Sequence, residues 1–95
     1  MARKTVPFTK DGITRLPNNK PAVYNILTEG GKLNYVGVAK RGRLQERIRE
    51  HLPGQKDAVP GAMVQVRQAE SIKQAKQTEA QAITRQKPKY NDRGK

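Results

Sequence analysis

The chain contains no cysteine, no tryptophan, one phenylalanine (Phe8) and one histidine (His51). The missing cysteines exclude disulfides, thiolate metal sites and a cysteine nucleophile together, and they agree with an intracellular setting. With aromatics scarce and only 34% of residues apolar, the core has to come from Val, Ile, Leu and Ala, with Tyr drawn in. Long apolar runs are also lacking. No stretch approaches the roughly eighteen residues of a membrane span, and the opening MARKTVPFTK has no apolar segment of the secretory kind. The expectation is a soluble, cytoplasmic protein with no membrane partner. Acidic residues are few as well: eight Asp and Glu stand against twenty Lys and Arg, a formal net charge of +12.

That imbalance on 95 residues makes a positive field that concentrates polyanions, so nucleic acid is the leading partner. The basic residues are spread through the chain rather than gathered on one amphipathic helix, which argues against an anionic membrane. A chain this short builds one core and therefore one domain.

Residues 1–20 are polar and broken by Pro7, Gly12, Pro17 and Asn18-Asn19. They read as a basic N-terminal arm with at most one short helical or extended piece. Order is expected to begin at Pro21. AVYNILTE alternates as a half-buried strand, Glu29-Gly30-Gly31-Lys32 supplies turn residues, and LNYVGVA returns as the second strand of a hairpin. KRGR leads into a helix, LQERIREHL, with Leu44, Ile48 and Leu52 at helical spacing, ended by Pro53-Gly54. AMVQVRQ reads as a third strand, and Ser71 caps a second helix that runs to about Lys87. The predicted fold is thus α+β, a three-stranded antiparallel sheet flanked by helices in the order β-β-α-β-α. The expected domain spans 21–91, with a basic tail over 92–95.

Three features carry chemistry. A two-residue turn at Gly30-Gly31 sets Tyr24 opposite Gly37 and Tyr35 opposite Ile26, which puts both phenols on one sheet face as diagonal neighbours. Gly37, lacking a side chain, leaves room for something to approach the sheet there. Tyrosine is also simply a good strand residue. Next, Arg47 and His51 are spaced i, i+4 on one side of the first helix. A guanidinium there can grip a phosphate, and an imidazole can hydrogen-bond it or move a proton; the plainer reading is a solvated Arg beside an interfacial His. Finally, Glu79 falls within the arc of Ile72, Ala75, Ala82 and Ile83, on the apolar stripe of the second helix. A carboxylate on that stripe needs a cationic partner, protonation or a metal ion. One carboxylate completed by water and phosphate oxygens suits magnesium.

Read in order, A-V-Y at 22–24, Y-V-G at 35–37, R-x-x-x-H at 47–51, the helix-borne Glu79 and P-x-Y-N ending at Asn91 resemble the GIY-YIG nuclease family, from Pro21 to Asn91. Ala22-Val23 stand for Gly-Ile, Val36 for Ile, and the stretch from Tyr35 to Arg47 is about two residues longer than usual. The resemblance implies a metal-dependent endonuclease that hydrolyses DNA phosphodiester bonds with Mg2+ or Mn2+. In it Tyr24 takes a proton from the attacking water, Tyr35 positions water and phosphate, Arg47 stabilises the transition state and Glu79 anchors the metal. His51 matches a position that varies between His and Tyr, and Asn91 matches an Asn that orders the site. Val38 departs from relatives with a Lys directly after the second motif; Lys40 is the nearest substitute. Nucleic-acid contacts are expected from Lys40, Arg41, Arg43, Arg49, Lys87 and Lys89, with DNA as the partner ahead of RNA and no small-molecule cofactor. The basic arm (Arg3, Lys4, Lys10) and tail (Lys87, Lys89, Arg93, Lys95) add backbone contacts. Two other readings fit the composition: a nucleic-acid-binding module on this fold that does not cut, and a small structural RNA-binding protein, which leaves Glu79 unexplained.

Overall fold

Glycine and β-branched residues shape the hairpin at the centre of the fold. In the computed structural model, which describes residues 3–55 and 58–86, β-strands at Ala22–Leu27 and Leu33–Ala39 pair antiparallel, with Tyr24 opposite Gly37 and Ile26 opposite Tyr35. The register is the expected one, but the turn is not. Thr28 N–H donates to Lys32 O and Gly31 N–H to Thr28 O, both at 2.9 Å, so the loop is longer than two residues, with Gly31 at φ +86. This longer loop sets Leu27 opposite Leu33, and the register then shifts between Ile26 and Leu27. Asn34 is the extra residue. It is buried and its Nδ2 donates to Pro60 O at 2.8 Å, so the bulge restores the pairing that brings the two tyrosines together.

The sheet has four strands rather than three, in the order β1-β4-β2-β3. Here β1 is Arg3–Pro7, β2 and β3 are the hairpin strands, and β4 is Met63–Gln68. All neighbours are antiparallel. Part of the expected arm is therefore built into the fold. β1 pairs with β4, Val6 opposite Val64, and a short helix α1 (Lys10–Thr14) follows, capped by Thr9 Oγ1 accepting from Gly12 N–H at 3.0 Å. Val6, Phe8, Ile13 and Leu16 enter the main core with Tyr24, Ile26, Leu44, Ile48, Val64 and Val66. The segment behind α1 also anchors the basic loop: Asn18 O accepts from Gly42 N–H at 2.8 Å, and Leu16 O accepts from Gln45 Nε2 at 2.7 Å.

Helix α2 (Leu44–Arg49) lies on the same sheet face as α1 and buries Leu44 and Ile48. It ends three residues earlier than its apolar spacing predicts. Glu50 is the C-cap, and His51 and Leu52 continue in tight turns, their N–H groups donating to Ile48 O and Arg49 O, as helix ends often do. Helix α3 (Ile72–Gln86) packs on the other face, over β3 and β2. Its N-terminus follows the expected chemistry, with Ser71 Oγ accepting from Gln74 N–H at 3.2 Å. Ala75 is fully buried, with Val23, Val36 and Ala69, and Ala82 and Ile83 are half-buried against them. Among the described residues no helix is long and apolar enough to cross a membrane.

Candidate active site

Tyr24 begins the site because the hairpin gives it nowhere else to go. Its side chain is fully buried on the α2 face, and its ring lies across the strand opposite. A Cβ added at Gly37 would sit 2.3 Å from Tyr24 Cζ and 2.4 Å from its hydroxyl. The space left by Gly37 is thus filled by the tyrosine itself, rather than held open for an outside group. Gly37→Ala is expected to push the ring out of place and lower stability by about 1–3 kcal/mol, the usual range for overpacking. Urea denaturation checks this, and an unchanged midpoint would show that the ring does not occupy this space.

His51 comes to the same point from the end of α2. Its ring is 4% exposed, and its Nε2 lies 2.8 Å from the Tyr24 hydroxyl. Tyr35 completes a cluster of three rings, with centroids 6.2 Å from Tyr24 and 4.7 Å from His51. The early end of α2 matters here. Tight turns carry His51 inward to the sheet, while Arg47, one turn earlier, stays exposed with Glu50 at 3.7 Å as its ion-pair contact.

Arg47 faces a cavity of about 540 Å³ that wraps the open edge of β3. Tyr35, Arg43 and Arg47 line it from one side of the sheet, Val38 and Lys40 from the strand, and Ile72, Lys76 and Glu79 from α3 on the other side. Glu79 and Tyr35 therefore reach one space around the strand edge although they sit on opposite sheet faces. Glu79 is half-buried. Among the described residues no cation closes to ion-pair distance on it. Burial raises its pKa above the ordinary carboxylate value, while the charges of Lys76 and Arg47 pull the other way. The Tyr24 hydroxyl is likewise pushed up, first by burial, then by Tyr35 and Glu79, while the charge and hydrogen bond of Arg47 oppose the shift. One guanidinium thus acts on both the phenol and the carboxylate.

The structure brings together Tyr24, Tyr35, Arg47, His51 and Glu79, with Gly37 beneath the first tyrosine. Lys40 and Arg43 line the cavity, Arg43 paired to Glu46 at 2.5 Å. Arg41 and Arg49 are exposed but line no part of it. Lys87, Lys89, Asn91 and the tail residues Arg93 and Lys95 lie outside the described residues. Lys76 was missed by sequence reasoning, although its place three residues before Glu79 on one helix puts it beside the carboxylate.

An antiparallel sheet with two tyrosines and a histidine under one helix, and a lone carboxylate from a second helix at the strand edge, defines the GIY-YIG nuclease fold. Comparison with solved structures bears this out. The chain is similar to the GIY-YIG N-terminal endonuclease domain of UvrC from Thermotoga maritima bound to its catalytic divalent cation, magnesium, with 28% identity, a TM-score of 0.67 and coverage of 86% of this chain and 93% of that one. It is equally similar to point mutants of that domain bound to the cation: a tyrosine-to-phenylalanine form matches at 27% identity and TM-score 0.66, over 86% of this chain and 92% of that one. An asparagine-to-alanine form matches at 27% and 0.66, over 85% and 91%. No protein-family model and no curated protein matches the chain.

Proposed function

We propose that this chain is a divalent-metal-dependent endonuclease that hydrolyses DNA phosphodiester bonds at the β3-edge cavity. The observation that carries the reading is convergence: Tyr35, Arg47 and Glu79 line one cavity from β3, α2 and α3, and buried Tyr24 and His51, 2.8 Å apart, pack against the Tyr35 ring behind it. The likeness to an endonuclease domain bound to magnesium supports the same class.

The residues suit a divalent cation. Glu79 is partly desolvated, has no cation at ion-pair distance among the described residues, and faces open volume. Among the described residues no group of three or more His, Cys, Asp or Glu could share the ion. Glu79 would hold it, with water and phosphate oxygens completing the shell in the manner usual for Mg2+, and Mn2+ able to replace it. When bound, the cation supplies Lewis-acid polarisation of the phosphate and offsets charge gained in the transition state.

The protein's own groups account for the proton. A buried phenol holds its proton near neutral pH, so Tyr24 cannot begin as a phenolate base. It can act as a relay: as an attacking water passes a proton to the Tyr24 oxygen, the phenol's proton passes to His51 Nε2, 2.8 Å away. The imidazole ends protonated and the phenol is unchanged, so His51 is the net proton acceptor of the step. Arg47 stabilises charge growing on the phosphate oxygens, and Tyr35, on the cavity wall, orients the phosphate.

Nicking of supercoiled plasmid with and without Mg2+ or Mn2+ tests the reading. Wild type is expected to cut only with metal, and Arg47→Ala to cut about 10²–10³-fold more slowly, the usual effect of removing one transition-state donor. Salt-sensitive binding with no product under any metal would favour the non-cutting module instead.

A further inference from the structure

Helix α3 has a second flank, which the catalytic reading leaves unused. At a hundred degrees per residue, Ile72, Lys76 and Glu79 turn toward the open edge of β3, whereas Gln81 and Arg85 turn the other way, over β2 and β4. On that side lies a separate groove of about 200 Å³. Val23 supplies apolar surface, Asn25, Gln65 and Gln81 line it with side-chain amides, and Arg67 from β4 and Arg85 from α3 bring two exposed guanidiniums.

Two features set this groove apart from the catalytic cavity. It has no acidic lining residue, so nothing in it would hold a cation. Among the described residues, neither Arg67 nor Arg85 has a carboxylate within ion-pair distance, whereas Arg43 and Arg47 each sit beside a Glu. Two uncompensated guanidiniums among amide donors form an anion site. Guanidinium forks grip phosphate oxygens bidentately, and Asn and Gln amides donate to phosphate and sugar oxygens of a nucleic-acid backbone.

We propose that the Arg67–Arg85 groove is a second phosphodiester-binding site, which holds backbone phosphates of the substrate on the far flank of α3 from the catalytic cavity. The proposal rests on the reading of DNA as substrate. It gives a compact chain a grip on the duplex separate from the site of cleavage, so affinity and chemistry are carried by different residues.

The test uses the full chain and a short DNA duplex in metal-free buffer, where no cleavage interferes. The arginine Nε–Hε signals of Arg67 and Arg85 are followed by NMR during titration, and binding is followed by fluorescence anisotropy across a salt series. Arg67→Gln/Arg85→Gln is expected to bind on the order of tenfold more weakly. The slope of log affinity against log salt should fall by about 1.8, at roughly 0.9 per phosphate contact. Arg15→Gln/Lys32→Gln removes the same charge from exposed positions outside both cavities and should leave the slope nearly unchanged. Circular dichroism checks that both variants fold. Shifted Arg67 and Arg85 signals together with the specific loss of slope support the groove. Normal binding with both signals unmoved, an equal loss in the two double variants, or no duplex binding at all would each overturn it. The nuclease reading is judged separately by metal-dependent plasmid product, so either can fail without the other.

Discussion

Glu79→Gln is expected to slow metal-dependent plasmid cleavage on the order of a thousandfold, because the cation it is proposed to hold would contribute several kcal/mol to the transition state. The substitution keeps size and shape and removes only the charge, so the fold should survive. Thermal melting offers a second readout. The Glu79 pKa is raised in the folded state by burial, with Lys76 and Arg47 opposing. A carboxyl with a raised folded pKa contributes stability while it is protonated at low pH and loses it as pH rises through the folded value. At neutral pH without metal, ionised Glu79 is therefore a cost, and Glu79→Gln should melt slightly higher than wild type. Added Mg2+ should raise the wild-type Tm and leave the variant unmoved. The wild-type shift should fade as pH drops through the raised Glu79 value, since a protonated carboxyl no longer ligates. A variant that cuts at wild-type rate, or melts higher with Mg2+ just as wild type does, would place the metal elsewhere.

Tyr24→Phe should reduce the single-turnover rate by roughly 10²–10⁴-fold, the range attributed to a positioned proton-transfer group, while binding of the same duplex changes little. The ring still fills the space over Gly37, so packing is retained and the lost atom is the one bonded to His51 at 2.8 Å. His51→Ala should likewise slow the single-turnover rate while duplex binding changes little, since the proposed final proton acceptor is gone. A rate for Tyr24→Phe within a few-fold of wild type would remove the phenol from the proton path.

The parts of this site that were legible in the sequence are those governed by local periodicity. Alternation along Ala22–Leu27 and Leu33–Ala39 gave Tyr24 and Tyr35 one face, and the helical repeat placed Glu79 on the packing side of α3. The hairpin turn was misjudged, yet the register held, because the bulge at Asn34 takes up the residue that the longer loop introduces. What escaped notice depends on distant partners. β1 is short and charged, with Val6 as its inward apolar residue, and its mate in β4 is about sixty residues away in the chain. No local pattern marks such a strand. α1 has five residues with Gly12 at its centre, weak on propensity and formed because Ile13 and Leu16 find the core. The last turn of α2 was read as continuous helix from Leu52, whose burial is satisfied equally by the tighter turn observed. Arg67 and Arg85 belong to no local motif; only the strand order that sets β4 beside β2 brings them to one groove.

The proposed catalytic groups from both sides of the sheet meet by reaching around β3, which among the described residues has no strand beyond it. That border would ordinarily invite another chain to add a strand. On the proposed nuclease reading, such an addition would stand in the doorway through which the scissile phosphate enters, so self-association along β3 and turnover would be mutually exclusive. A dimer making paired cuts would then have to be joined through other surfaces, and a protein segment docked along this rim would act as a plug.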